Sequence, residues 1–302
     1  MSVRITQESL THTTLANIKA NFKKMEDIQE KLSSGKQLNR ASDNPSNTRK
    51  VLGLKTKDQQ VQQYLDNSHA AKDQVNFAFN ALEGIQDTIA KVKELAVQAN
   101  NDTLGPSERK VIASELSQIM ESVIQFSNMD NNGRYIFAGT KTQTVPFSAV
   151  KDSSGKITSV SYNGDNQEIK YQVGPNSHIQ VNIPGGKLFQ DNRIFSTLIS
   201  LRDSLEASTF DSAAFSNLRT TLESTTDVFS AEITKFGSKA NRLEMTVSRL
   251  ENSQASLKEL ISYNEDADVA SLIMDLKHQE NTLNASLSVG AKIIQPTLLN
   301  FL

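Results

Sequence analysis

The chain contains no cysteine and no tryptophan among its 302 residues. Without cysteine it can form neither disulfides nor thiolate metal sites, and redox chemistry gives no indication of its compartment. It also lacks an excess of one charge: the formal net charge of -2 gives no electrostatic footprint for nucleic acid or an anionic membrane. No segment approaches the roughly 20 consecutive apolar residues that span a membrane. We therefore expect a protein that binds neither nucleic acid nor a membrane.

Residues that commonly carry catalysis are few and scattered. None of the four histidines belongs to an HExxH or two-histidine–carboxylate pattern: His12, His69, His178 and His278. The chain also has no P-loop, no GxGxxG after a strand and no GxSxG. Glu265, Asp266 and Asp268 could offer oxygens to a divalent cation, but their spacing is not that of a calcium loop and fits caps and turns better. We expect no enzyme activity, no cofactor and no metal site.

The first residues, MSVRITQESLTHTTLANIKAN, are rich in Ser, Thr, Gln and Asn. They lack a basic region followed by an apolar core, so we expect a flexible leader and not a general secretory signal peptide.

Helical periodicity is what the chain has in abundance. Apolar residues recur at alternating three- and four-residue steps, which places them along one side of a helix. This spacing predicts helices over 10–32, 48–99, 107–127, 194–205 and 211–264, and a last helical segment from 268 to 302. Pro45 is expected to open the second helix, after the side-chain oxygens of Ser42, Asp43 and Asn44.

Short alternating segments interrupt the helical pattern after Asn131. They predict strands over 135–138, 157–162, 168–173 and 178–183, separated by turns that contain glycine. The predicted fold is mainly α: an elongated antiparallel helical rod with paired terminal helices and a small inserted β domain. The predicted division is 1–45 plus 265–302 for the terminal assembly helices, 46–133 plus 196–264 for the helical rod, and 134–195 for the β domain.

Each terminal helix carries one apolar stripe. The N-terminal seam consists of Leu15, Ile18, Phe22, Met25 and Leu32. The C-terminal seam consists of Val269, Ile273, Leu276, Leu283, Leu287, Ile294, Leu298 and Phe301, with Glu280 and Gly290 in its two weak positions. Pro296 lacks an N–H and should kink or stop the last helix.

Two such helices alone are marginal in water because a solitary pair leaves much of its seam solvated. Either other copies of the chain cover the seams, with the ends ordered only in the assembly, or the helices fold back onto the rod. The periodicity itself leaves both arrangements open.

Three motifs resemble the bacterial flagellin superfamily. KLSSGKQLNRASDNPSNT at 31–48 resembles the segment after its first helix, and ELAVQANNDTLGPSERKVIASELSQIMESV at 94–123 resembles its core helical turn. NNGRYIFAGTKTQTVPF at 131–147 and the ending LLNFL are similar to the hook–filament junction proteins within that superfamily. The residues of the first motif that carry the resemblance are Leu38, Asn39, Arg40, Asp43 and Pro45.

The resemblance implies a structural role in the flagellum. Subunits would be exported unfolded through the flagellar type III apparatus, with a cytosolic chaperone shielding the C-terminal helix. They would then form a self-assembled layer at the hook–filament junction, between the first hook-associated protein and filament flagellin.

Two other functions remain open. The chain could be a filament flagellin, or a helical type III secretion effector or translocator that shares only the long helices.

Overall fold

The computed structural model describes residues 7–101 and 104–294, with side chains described for 9–101 and 104–292. Six helices dominate it: α1 (Gln7–Ser34), α2 (Pro45–Ala99), α3 (Pro106–Ser127), α4 (Ile194–Glu206), α5 (Ser212–Glu265) and α6 (Val269–Ile294). Three antiparallel hairpins lie between α3 and α4: β1 (Asp130–Asn131) with β2 (Arg134–Tyr135), β3 (Phe147–Lys151) with β4 (Ile157–Tyr162), and β5 (Lys170–Gly174) with β6 (Ser177–Gln180). The mainly α fold with a small β region is confirmed.

Local side-chain chemistry explains where the helices begin. Asn44 Oδ1 accepts a hydrogen bond from the N–H of Asn47, and Pro45 takes the first helical position of α2, where no N–H is needed. Asp211 accepts hydrogen bonds from the N–H groups of Ala213 and Ala214 at the start of α5. Asp268 does the same for α6. These caps satisfy amides that have no partner within the helix.

The chain divides into two compact units, Met1–Gln60 with Ser253–Leu302 and Val61–Asn252. The second unit contains nearly all of the buried apolar residues. Its core draws on the inward faces of four helices: Val75, Leu82 and Ile89 of α2, Ile112, Leu116 and Val123 of α3, Leu198 and Leu201 of α4, and Leu222, Phe229 and Phe236 of α5. Gln86 hydrogen-bonds Ser230, and Lys72 pairs with Glu244, so α2 and α5 run antiparallel here.

The hairpins share this core with the helices. Phe189 lies on a short π-helix, Gly186–Gln190. Four aromatic rings surround it, with centroids 4.9 to 5.7 Å from its own: Phe137, Phe147, Phe195 and Phe229. Arg202 is buried beneath β4, where it donates to the carbonyl of Ile157 and pairs with Asp203. The separation of 134–195 into a domain of its own therefore stays a prediction.

The strand pattern differs from the expectation at several places; β6, for example, ends at Gln180 and not at Ile183. Residues 136–138 do not form a strand, since the carbonyl of Phe137 accepts from the Gly185 N–H and the Tyr162 hydroxyl instead of a neighbouring strand. The strand β3, which the sequence did not predict, pairs with β4, and Phe147 fixes its start by exchanging two hydrogen bonds with Asn128.

The first unit is built differently. Among its described residues, Val51 and Leu272 are the only buried hydrophobic side chains. Its principal contact is between α1 and α6, so the expected pairing of the terminal helices is confirmed.

Candidate functional site

The α1–α6 pair is antiparallel and closely packed. Asn21 donates to the hydroxyl of Ser286 at 2.9 Å, and Gln279 donates to the carbonyl of Asn21 at 3.0 Å. A Cβ on Gly290 would lie 3.1 Å from Cδ1 of Ile18, so the absence of a side chain at Gly290 permits this approach. The sequence pattern indicated that Gly290 is a weak position of the seam, whereas in the structure it is a point of close contact with Ile18.

The predicted seams are split by this packing. Ile18, Met25 and Leu32 of α1, and Leu276 and Leu283 of α6, are half-buried. Leu15, Phe22, Val269, Ile273 and Leu287 are exposed, with Phe22 at 56% and Ile273 at 48%. Leu272, which the predicted seam did not include, is buried at 7% exposure, the one such apolar side chain among the α6 side chains that the structure describes.

The five exposed residues form what we call the apolar flank: Leu15, Phe22, Val269, Ile273 and Leu287. Successive residues of an α-helix are rotated by about 100° about its axis. On each helix the flank residues therefore lie roughly 60–90° around the axis from the residues that contact the other helix. Seen from the N-terminus of each helix, the rotation is in the same direction. Because the two helices run antiparallel, flanks displaced in the same sense lie on the same side of the pair. The flank is therefore one stripe along the pair, apolar except at Glu280, which lies between Ile273 and Leu287 on α6.

Part of the predicted C-terminal seam lies outside this description. Leu298, Phe301 and Pro296 are beyond the described residues, and for Ile294 only the helical backbone is described. Their assignment stays a prediction.

A buried carboxylate joins the two connections next to this pair. Glu265 is 6% exposed and forms two ion pairs, one through each carboxylate oxygen: with Lys36 Nζ at 2.6 Å and with Lys55 Nζ at 2.7 Å. The backbone reinforces the link: the Gln37 N–H donates to the Glu265 carbonyl, and the Ala267 N–H donates to the Gly35 carbonyl. The α1–α2 and α5–α6 connections are thus fastened together within the first unit. The sequence indicated only a cap or turn at Glu265, because its two partners are distant along the chain.

Glu265 has an altered proton affinity. Burial alone raises its pKa, but the hydrogen bonds and charges of Lys36 and Lys55 outweigh burial, and the net pKa is lowered. A carboxylate with a lowered pKa stabilises the folded state at pH values above its unfolded pKa of about 4.3. That contribution is lost as the pH falls through the lower pKa of the folded protein.

Glu265→Gln is expected to loosen this link at pH 7. The substitution keeps the shape but leaves two lysines without their anion, so protection of the Gln37 and Ala267 amides from hydrogen exchange should fall by about tenfold. In the unsubstituted chain the same amides should lose protection below about pH 4, and this acid sensitivity should disappear in the variant. Amide exchange followed by mass spectrometry measures both. Unchanged protection at pH 7 would show that the ion pairs do not stabilise the connection.

The residues of the 31–48 motif build the connection after α1. Asp43 accepts hydrogen bonds from the N–H groups of Asn39 and Arg40, and Arg40 pairs with Glu30 at 2.9 Å. Pro45 begins α2, and Leu38 is half-buried. These residues shape the turn between Lys36, which follows α1, and the helix α2 that carries Lys55.

No group of three or more metal-ligating side chains is gathered anywhere in 7–101 or 104–294. Among the same residues, no helix is both long and apolar enough to cross a membrane.

Comparison with known proteins gives the family. The model of the bacterial flagellin N-terminal helical region matches residues 5–142, and that of the C-terminal helical region matches 220–302, together well over half of the chain. The chain belongs to the bacterial flagellin superfamily. It is thereby one of the proteins of the bacterial flagellum.

Individual relatives come from two branches of this superfamily. Flagellar hook-associated protein 3 of Escherichia coli K12 is 32% identical over 161 residues, which cover 53% of this chain and 48% of that protein. The chain spans about half the length of the curated hook-associated relatives that it matches. Flagellins match as well, some of them along most of the chain.

Solved structures share the fold. The crystal structure of FlgL from Bacillus cereus has a TM-score of 0.59 at 21% identity, covering 70% of this chain and 99% of that one. The flagellar junction protein FlgL from Legionella pneumophila has a TM-score of 0.55 at 15% identity, covering 65% and 99%.

Proposed function

We propose that this chain is a structural subunit of the bacterial flagellum that forms the junction between hook and filament. It assembles with copies of itself through α1 and α6, and it has no enzymatic activity. The relatives named hook-associated protein 3 support the place in the flagellum. The observation that carries the mechanism is the apolar flank, which a lone α1–α6 pair leaves in water.

The physical argument concerns burial. Each large apolar side chain transferred from water to an interface contributes about 1.5–3 kcal/mol. The first unit buries few such side chains by itself, so neighbouring copies that cover the flank would supply stabilisation that the isolated unit lacks. The same exposure explains why an export chaperone would be needed to shield α6 before assembly. The flanking partners in this proposal are the first hook-associated protein and filament flagellin, and the final location is outside the cell.

Filament flagellin is the second candidate, since flagellins match along most of the chain. Deleting the gene separates the two functions. Loss of a junction protein should leave hooks in place and release flagellin monomers into the medium, whereas loss of the flagellin leaves nothing to release.

Complementation with a truncated chain tests the assembly mechanism. A chain lacking residues 269–302 should be folded in its second unit, with cooperative melting, and should fail to restore filaments. Electron microscopy of the deletion strain and thermal unfolding of the purified chain provide the readouts. Restored filaments would contradict assembly through α6, and loss of cooperative melting would contradict the independence of the second unit.

A further inference from the structure

A cleft in the second unit has an unusual balance of charge. It has a volume of about 390 Å³ and lies between α5 and the segment that follows β6. Its lining includes the apolar residues Ile183, Leu188 and Phe236, of which Leu188 and Phe236 are nearly inaccessible to solvent. That size falls within the range of small-molecule sites.

Three lysines and two glutamates line the cleft, but the glutamates are already engaged. Glu232 pairs with Lys235 at 2.6 Å, and Glu168 pairs with Lys170, which lies outside the lining, at 3.0 Å. Lys187 and Lys239 remain, and neither takes part in an ion pair within the part of the chain that the structure describes. The lining therefore carries one more lysine than glutamate, and Lys187 and Lys239, which the charge of Glu168 reaches only at longer range, have no ion pair of their own among the described residues.

Lys239 is held at the cleft by an aromatic ring. Its Nζ lies 4.2 Å from the centroid of the Phe236 ring, a cation–π distance. Burial lowers the pKa of Lys239. The charges of Glu232 and Glu168 raise this pKa and the charge of Lys235 lowers it, and the net pKa is lowered. A bound anion would stabilise the charged form of a partly desolvated ammonium group of this kind.

The other polar side chains of the cleft are occupied by the fold. Asn182 accepts a hydrogen bond from the Ile169 N–H and donates one to the Gln167 carbonyl. Asn192 donates to the carbonyls of Lys187 and Leu188, and Gln180 donates to the Asn182 carbonyl. Recognition in this cleft would thus depend on the two ammonium groups and the apolar floor.

We propose that this cleft binds a small organic anion, a phosphate monoester or carboxylate whose charge meets Lys187 and Lys239 and whose apolar body lies against Val228 and Ile183. This site is separate from the assembly surface, and the proposal does not depend on the function proposed above.

Phenyl phosphate tests the proposal because it combines a dianion with an apolar ring. We expect saturable binding to the full chain by calorimetry, tighter than that of inorganic phosphate. It should also slow the labelling of the Lys239 amine by an acylating reagent, read by peptide mass spectrometry. The double variant Lys187→Met and Lys239→Met should bind at least about tenfold more weakly, since both cations are lost.

Lys110→Met provides the matched control, because Lys110 is an exposed lysine of α3 outside the cleft. It should bind phenyl phosphate like the unsubstituted chain, and circular dichroism should show that all variants are folded. Three results would each overturn the proposal. The first is the absence of saturable binding of phenyl phosphate up to about 10 mM, roughly the limit for a specific weak site. The others are binding by the double variant as tight as that of the unsubstituted chain, and protection of Lys239 by sodium chloride equal to that by phenyl phosphate at the same ionic strength.

Discussion

A chain carrying Phe22→Asp and Ile273→Asp is expected to stay folded and to lose self-assembly. Both side chains belong to the apolar flank and are about half exposed in the isolated chain, so a carboxylate there remains solvated. In an assembly that covers the flank, each carboxylate would be buried without a partner, at a cost of at least about 2–3 kcal/mol. Together they should raise the concentration needed for assembly by two or more orders of magnitude.

Sedimentation or light scattering of the purified chain, with electron microscopy of complemented cells, measures this effect. Ala16→Asp is the matched control, because Ala16 is exposed on the side of α1 that faces away from α6. The control should assemble normally if the flank is the interface. Assembly of the double variant at the usual concentration would show that the flank stays in water.

Phe189→Ala is expected to have the largest effect on folding. Phe189 is fully buried and touches four other aromatic rings, so removing its ring leaves a large cavity where the hairpins meet α5. Truncations of this kind destabilise proteins by about 3–5 kcal/mol. Urea unfolding of the full chain, followed by near-ultraviolet circular dichroism of the aromatic residues, measures the change.

Phe22→Ala is the matched control, since it removes the same atoms from an exposed position. It should change the free energy of unfolding of the isolated chain by no more than about 0.5 kcal/mol. Similar losses for the two substitutions would contradict the role of Phe189 as the centre of the aromatic cluster.

The sequence placed the helices to within a few residues. Their signals are local: Pro45 after Asn44, Asp268 before Val269 and the turn at Gly105–Pro106 all act within one helical turn. The hairpins were harder, because residues 136–138 alternate like a strand while the Phe137 carbonyl is satisfied by Gly185 and Tyr162. Hydrogen-bond partners so far apart in the chain cannot be recognised from the local sequence pattern.

The candidate site shows the same division. The sequence by itself determined that each terminal helix has one apolar stripe, since the spacing of Leu15, Ile18 and Phe22 is fixed by the helical period. Only the tertiary structure decided which part of each stripe is covered, because that depends on which side of α1 faces α6 and which side of α6 faces α1. Contacts between residues far apart in sequence, such as Gly290 against Ile18, fix which sides of the helices meet, and the apolar flank stays exposed.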